Sequence, residues 1–210
     1  MKRALTLLAG VVCLTLGSTQ SRAAIFITVG NYLLAPNTAG QTIDIFVSGN
    51  GLNGDATVAG VNFIAQVGDG GPEIANAPLN CPAGTVAPTI TGVDLKTGTI
   101  FAGVSDSPVD QGSLPQVVAW SLANSIPAND PSPNGKLVTL TIDTSGFNSG
   151  SWPLALSGVL SCAGGYTTDF SGLNATIING SITVPEPATY AGMFGALCLA
   201  GAAVTRKFRR

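Results

Sequence analysis

The chain has 210 residues, 45% of them hydrophobic and only 10% charged, with 27 glycines and 13 prolines. A composition poor in helix-favouring Glu, Lys and Arg and rich in turn formers points to one all-β domain with terminal signals. The formal net charge of -2 hides an asymmetry, because between residues 24 and 184 ten Asp or Glu face only Lys96 and Lys136; this excludes a nucleic-acid surface, which needs clustered bases.

In chain order, Lys2 and Arg3 precede an apolar run from Ala4 to Leu16, and small and polar residues follow as far as "SRAA". This is the pattern of a secretory signal peptide over 1–23, with Ser21 and Ala23 ahead of a cleavage point between Ala23 and Ala24. The apolar run is short for a membrane span.

The stretch 24–184 alternates with period two. "IFITV" puts Ile25, Ile27 and Val29 on one face, "TIDIFVS" does so with Ile43, Ile45 and Val47, and "VNFIAQV" with Val61, Phe63, Ala65 and Val67. "TITGVDL", "GTIFAGV", "QVVAWSLA", "KLVTLTIDT", "WPLALSGVL", "LNATII" and "GSITV" continue the series, giving about nine strands. Between them "GNGLNGD", "GDGGPE", "NDPSPNGK" and "NSGS" carry the chemistry of tight turns. Such strands bury one face each, which predicts two antiparallel sheets packed as a sandwich or jelly roll.

The chain contains no histidine, so Ser-His-Asp and Cys-His nucleophiles, His-ligated zinc and a His general base are all excluded. "GNGLNG" at Gly49 to Gly54 spells G-x-G-x-x-G, but the alternating β-branched segment after it predicts a strand where a dinucleotide site needs a helix. The loop acids Asp69, Glu73, Asp106 and Asp110, with Asp55, are of the type that ligates calcium, yet they lack the spacing of a helix-loop-helix calcium loop and are expected as solvated acids. No other cofactor is expected. A pair of these acids could in principle hydrolyse a glycosidic bond. Trp120, alternating with Val118 and Leu122, is expected inside; Trp152 and Tyr166, beside Gly, Ser and Pro, are the candidates for stacking on sugar.

Of four cysteines, Cys13 lies in the signal and Cys198 in the terminal apolar run, leaving Cys81 and Cys162. In an oxidising compartment this even pair is expected to form a disulfide. Closing a loop of about 80 residues would stabilise the fold by about 4.5 kcal/mol in the chain-entropy account.

At the end of the chain, Pro185-Glu186-Pro187 leads into Ala188 to Val204, which carries no charge, and then into Arg206, Lys207, Arg209 and Arg210. As a helix that run is about 26 Å long, close to a hydrocarbon core, and the bases after it would hold its end in the cytoplasm. The ordered triplet of motif, apolar span and basic end over 185–210 resembles the PEP-CTERM sorting signal of bacterial envelope proteins. The resemblance implies transient partners in the Sec export machinery and a membrane-embedded exosortase that cuts near Pro-Glu-Pro, with the inner membrane holding the chain before processing. "VGDGGPE", "ITGVDLKTGTIFAG", "LVTLTIDTSGF" and "NGSITVPEP" are also similar to a group of PEP-CTERM proteins whose ectodomains are cohesin-like or carbohydrate-binding-module-like β-sandwiches. The expected protein is therefore a non-enzymatic, exported module of the cell surface or extracellular matrix, with a structural or adhesive role linked to exopolysaccharide or biofilm. A specific polysaccharide- or protein-binding module is the alternative, and a carboxylate-dyad hydrolase the third reading.

Overall fold

Alternation in the sequence becomes two stacked sheets. The computed structural model describes residues 25–49, 57–72, 84–160, 164–171, 173 and 175–186. The expected signal peptide with Ala23 and Ala24, the terminal apolar run, Pro187 and the basic end (Arg206, Lys207, Arg209, Arg210), together with Asp55, Glu73, Cys81 and Cys162, lie outside the described residues.

The described residues form thirteen strands: β1 (Ile25–Thr28), β2 (Asn31–Leu33), β3 (Gln41–Gly49), β4 (Gly60–Val67), β5 (Thr89–Asp94), β6 (Val109–Asp110), β7 (Val117–Ala123), β8 (Gly135–Asp143), β9 (Gly150–Ala155), β10 (Ser157–Leu160), β11 (Gly164–Thr167), β12 (Ala175–Ile178) and β13 (Gly180–Val184). A five-stranded sheet runs β12-β1-β3-β8-β5, a six-stranded sheet β2-β13-β9-β4-β7-β6, and β10-β11 form a ribbon of their own. Between the sheets Ile27, Ile45, Leu140 and Ile142 of the first meet Phe63, Leu154 and Ile182 of the second, all fully buried. Burying one such side chain stabilises by about 1.5–3 kcal/mol relative to exposure, so this double layer is what holds the sheets together.

The sandwich is as the alternation predicts, but the expected antiparallel sheets prove to be mixed. β1 pairs with β12, and β2 with β13, in parallel. The first and last strands each pass from one sheet to the other, at Gly30 and at Asn179–Gly180, and they do so side by side: Val29 N–H donates to Ile178 O (3.0 Å) and Ser181 N–H to Gly30 O (3.1 Å). Gly30 has φ +88, which a side chain rarely adopts. In consequence Ile25, opposite Gly49, starts at one end of the sandwich and Val184, opposite Gly150, leaves at the other.

Two further expectations need correction. "GTIFAGV" is not a strand: Ala102 N–H bonds Thr99 O and Val104 N–H bonds Phe101 O in successive turns, while Phe101 is fully buried and Val104 nearly so. Its apolar residues plug the N-terminal end of the sandwich. "WPLALSGVL" is two strands, because β9 leaves β4 after Ala155 and β10 turns away to pair with β11.

At the C-terminal end the buried Thr144 hydroxyl organises the β2–β3 loop. It accepts from Thr38 N–H (3.1 Å) and lies 2.8 Å from Ala35 O and 3.0 Å from Gln41 Nε2. Loop backbone that would otherwise be unpaired is satisfied in this way.

Candidate binding surfaces

The loop acids serve their own loops. Asp69 accepts Thr85 N–H at 2.9 and 2.8 Å on its two oxygens, the Thr85 hydroxyl at 3.0 Å and Gly71 N–H at 3.2 Å. Asp106 accepts Ser125 N–H at 2.6 Å, and Asp110 accepts Gly112 N–H and the Ser113 hydroxyl at 2.9 and 2.8 Å. Asp69 stands in the turn after β4, at the C-terminal end of the sandwich, whereas Asp106 stands beside the end of β7 at the opposite one. Among the described residues no group of three or more acids and thiols is placed to hold a metal ion.

These bonds set the proton affinities. Burial pushes the Asp69 pKa up, but the donors from Thr85 and Gly71 outweigh it and hold the carboxyl below its ordinary value. Asp94 is lowered first by the Thr97 side chain, against burial, with help from the Thr97 and Lys96 N–H groups and the Lys136 charge. Asp106 is lowered by Ser125 and Asp143 by Ser145. On the alkaline side burial pushes the Tyr166 phenol up to about 12, and burial and then Asp44 raise Tyr32.

A carboxyl depressed in the folded state contributes stability above its unfolded pKa that is lost as pH falls through the folded one. A phenol raised in the folded state contributes stability below its unfolded pKa that is lost as pH rises above it. With no histidine in the chain, thermal melts should show a plateau of stability falling away below about pH 4 and above about pH 10. A maximum confined to a narrow band near neutrality would contradict these assignments.

The candidate sugar-stacking aromatics are packed into the body. Trp152 lies opposite Ile182 on the inward face of the six-stranded sheet, half-buried against the core, with Phe147 edge-to-face at 5.1 Å and 81°. The Tyr166 hydroxyl reaches Gln66 Oε1 at 3.3 Å. Trp120, opposite Phe63, faces inward and is partly buried. Lys96 and Lys136 are both engaged. Lys96 donates to the carbonyls of Val104 and Asp106, and Lys136 Nζ stands 3.5 Å from Asp44 Oδ1. The glycine motif at Gly49 leads to strand β4 as the next described element.

What period-two reading passes over is the outer face of the five-stranded sheet. Phe26, Phe46 and Ile178 are exposed by 36%, 53% and 53%. The register makes them neighbours: Thr28 lies between Phe46 on β3 and Ile178 on β12, with Phe26 two residues before it on β1. Adjacent strands lie about 4.8 Å apart, so the three frame an apolar patch about 10 Å wide. The next residues on this face are polar: Thr42, Asp44, Thr139 and Thr141. Asp44 and Asp94 flank Thr139 on this open face, two strands apart. A large apolar residue at the solvent parity of a strand was the available signal. Phe26 in "IFITV" and Phe46 in "TIDIFVS" both carry it.

By fold and surface this is an all-β, two-sheet sandwich with an apolar patch on an outer sheet face. No protein-family model and no curated protein matches the chain. Similar solved structures include the cohesin–dockerin complex of OlpA and Doc918 from Clostridium thermocellum (14% identity, 77% of this chain and 99% of that one, TM-score 0.48). CaCohA2 from Clostridium acetobutylicum (16%, 77% and 91%, 0.49) and the seventh ScaB type I cohesin from Pseudobacteroides cellulosolvens (14%, 78% and 93%, 0.47) are similar to the same degree. The sandwich, expected to be cohesin-like or carbohydrate-binding-module-like, has cohesins among its structural neighbours. At TM-scores below 0.5 the likeness carries no correspondence of residues or of binding partners.

Proposed function

We propose that the protein is an exported, non-enzymatic module of the cell surface or extracellular matrix, and that it holds a protein partner on the outer face of its five-stranded sheet. The patch of Phe26, Phe46 and Ile178 carries the reading. Outer sheet faces are normally polar, and a grouped set of large apolar side chains there marks an interaction site. An outer sheet face of exposed side chains favours surface binding over hydrolysis, which needs an enclosed, water-excluding site. The address rests on the signal-peptide pattern expected to be cut at Ala23–Ala24 and on the expected sorting motif Pro185-Glu186-Pro187, and it implies an oxidised Cys81–Cys162 pair in the exported form. A role in biofilm or exopolysaccharide follows from the PEP-CTERM resemblance.

The test uses the chain as its host exports it. A photo-crosslinking residue at position 46 should yield a discrete protein adduct, and one at Val109, equally exposed at 53% but on the other sheet, should not. Equal labelling at both positions, or an adduct removed by glycosidases and not by proteases, would sink the protein-docking reading. Mass analysis of the termini checks the address separately: a surface form retaining Lys2 and Arg210 contradicts it.

A further inference from the structure

Resting on that docking face, we infer the chemistry of its occupant: a protein segment whose apolar side chains are flanked by lysine or arginine. The outer face divides into two halves. Toward β12 lie Phe26, Phe46 and Ile178; toward β5 the alternation that buries Val138, Leu140 and Ile142 turns Thr139, Thr141 and Asp143 outward, and Asp44 and Asp94 share this face opposite Thr139. Among the described residues the three carboxylates Asp44, Asp94 and Asp143 are met on it by one ammonium, Lys136, which stands 3.5 Å from Asp44 Oδ1. Lys96, the remaining lysine between residues 24 and 184, is turned into its own loop by the Val104 and Asp106 carbonyls. The face therefore keeps an excess of negative charge beside its apolar half.

A register irregularity sharpens this arrangement. Ile45 is opposite Val138 and Phe46 opposite Lys136, so Leu137 is an extra residue on β8. The bulge lets Leu137 and Val138 both go inward while Phe46 and Lys136 stay on the outer face, the re-aiming that bulges achieve. Asp44 is then about 7 Å from Phe46 along β3, and Asp94 about 10 Å from β3 across two strands. An occupant placing an apolar tip on Phe46 with a base one or two residues away meets both halves. An acidic occupant meets like charge, which disfavours it.

The experiment measures fluorescence anisotropy of three labelled synthetic peptides with the exported chain: lysine alternating with Phe and Ile, glutamate alternating with Phe and Ile, and lysine alternating with serine. The first should bind at least about tenfold more tightly than the second, weaken with added salt, and be lost in Phe46→Ser. Asp44→Asn with Asp94→Asn, which keep the acceptor oxygens used by Thr139, Lys96 and Thr97, should weaken it by about threefold or more. Lys136→Met should tighten it, a change that mere damage to the fold would not produce. Equal, Phe46-dependent binding of the lysine and glutamate peptides overturns the charge preference and leaves the docking face standing. Binding of the lysine–serine peptide as tight as the first overturns the apolar half. Indifference of all three peptides to Phe46→Ser, or replacement of peptide by neutral oligosaccharide at Phe46, overturns both readings.

Discussion

Gly180→Ala is expected to lower stability by about 3 kcal/mol or more, enough to take roughly 6–12 °C from the melting temperature of a domain this size. A Cβ at Gly180 would stand 2.6 Å from the Gly30 carbonyl carbon and closer still to its oxygen. What it meets is backbone, which cannot rotate aside as a side-chain end would. Moreover, this backbone is fixed from both sides: Ser181 N–H donates to Gly30 O, and Gly30 holds φ +88 between β1 and β2. Relief would require separating the two terminal strands where they change sheets together. Against a net stability of about 5–15 kcal/mol the loss is large. Gly103→Ala is the control, since a Cβ there meets nothing within 4 Å, and its melting point should stay within about 2 °C of the parent. If Gly180→Ala melts with the parent, the crossing is not close-packed and the parallel pairing of the two ends has been overvalued.

That crossing also shows where reading the chain by its pattern stops. Ile25, Ile27, Ile43, Ile45, Val47, Phe63 and Ala65 were legible as core because a strand shows its buried face every second residue. The parallel pairing of β1 with β12 joins residues 150 positions apart, and no local pattern reports it. "GTIFAGV" misleads for a related reason: Phe101 and Val104 are apolar because they close an end of the sandwich, a demand that imposes no period of two. Of the candidate site, Phe26 and Phe46 were individually visible as apolar residues at solvent parity. That they adjoin each other and Ile178 depends on register, and register on the partners. The acids illustrate the converse. Asp69, Asp106 and Asp110 were expected as solvated loop acids because sequence does not show the N–H groups of Thr85, Ser125 and Gly112 that they accept.

Thr168→Val should cost about 2–4 kcal/mol although it removes no volume, because the Thr168 hydroxyl stands in for a missing strand. β9 accompanies β4 only at Gln66 and Val67 and then turns away, leaving the remaining edge of β4 without its neighbour. Thr168, 1% exposed, fills the gap: its Oγ1 accepts Ile64 N–H at 3.1 Å and donates to Ile64 O at 3.1 Å. Its own N–H donates to Leu156 O at 3.0 Å, and Asp169 exchanges two backbone bonds with Asn62 at 3.0 and 3.1 Å. Valine has the same shape and no hydroxyl, so both main-chain groups of Ile64 lose their partner next to a side chain only 1% exposed, where an unpaired group costs about 1–3 kcal/mol each. Thr168→Ser keeps the oxygen and should lose under about 1.5 kcal/mol. Urea unfolding gives the ordering of parent, Ser and Val variants, and hydrogen exchange at Ile64 locates the effect. Protection of that amide should fall in Thr168→Val beyond what the global loss explains, and stay near the parent's in Thr168→Ser. Equal midpoints for Ser and Val variants would mean that water reaches this edge and the hydroxyl is dispensable. The ribbon β10-β11, which the chain inserts between Leu156 and Thr168, would then sit on an edge left open to other strands, a hazard for association that the Thr168 hydroxyl otherwise closes.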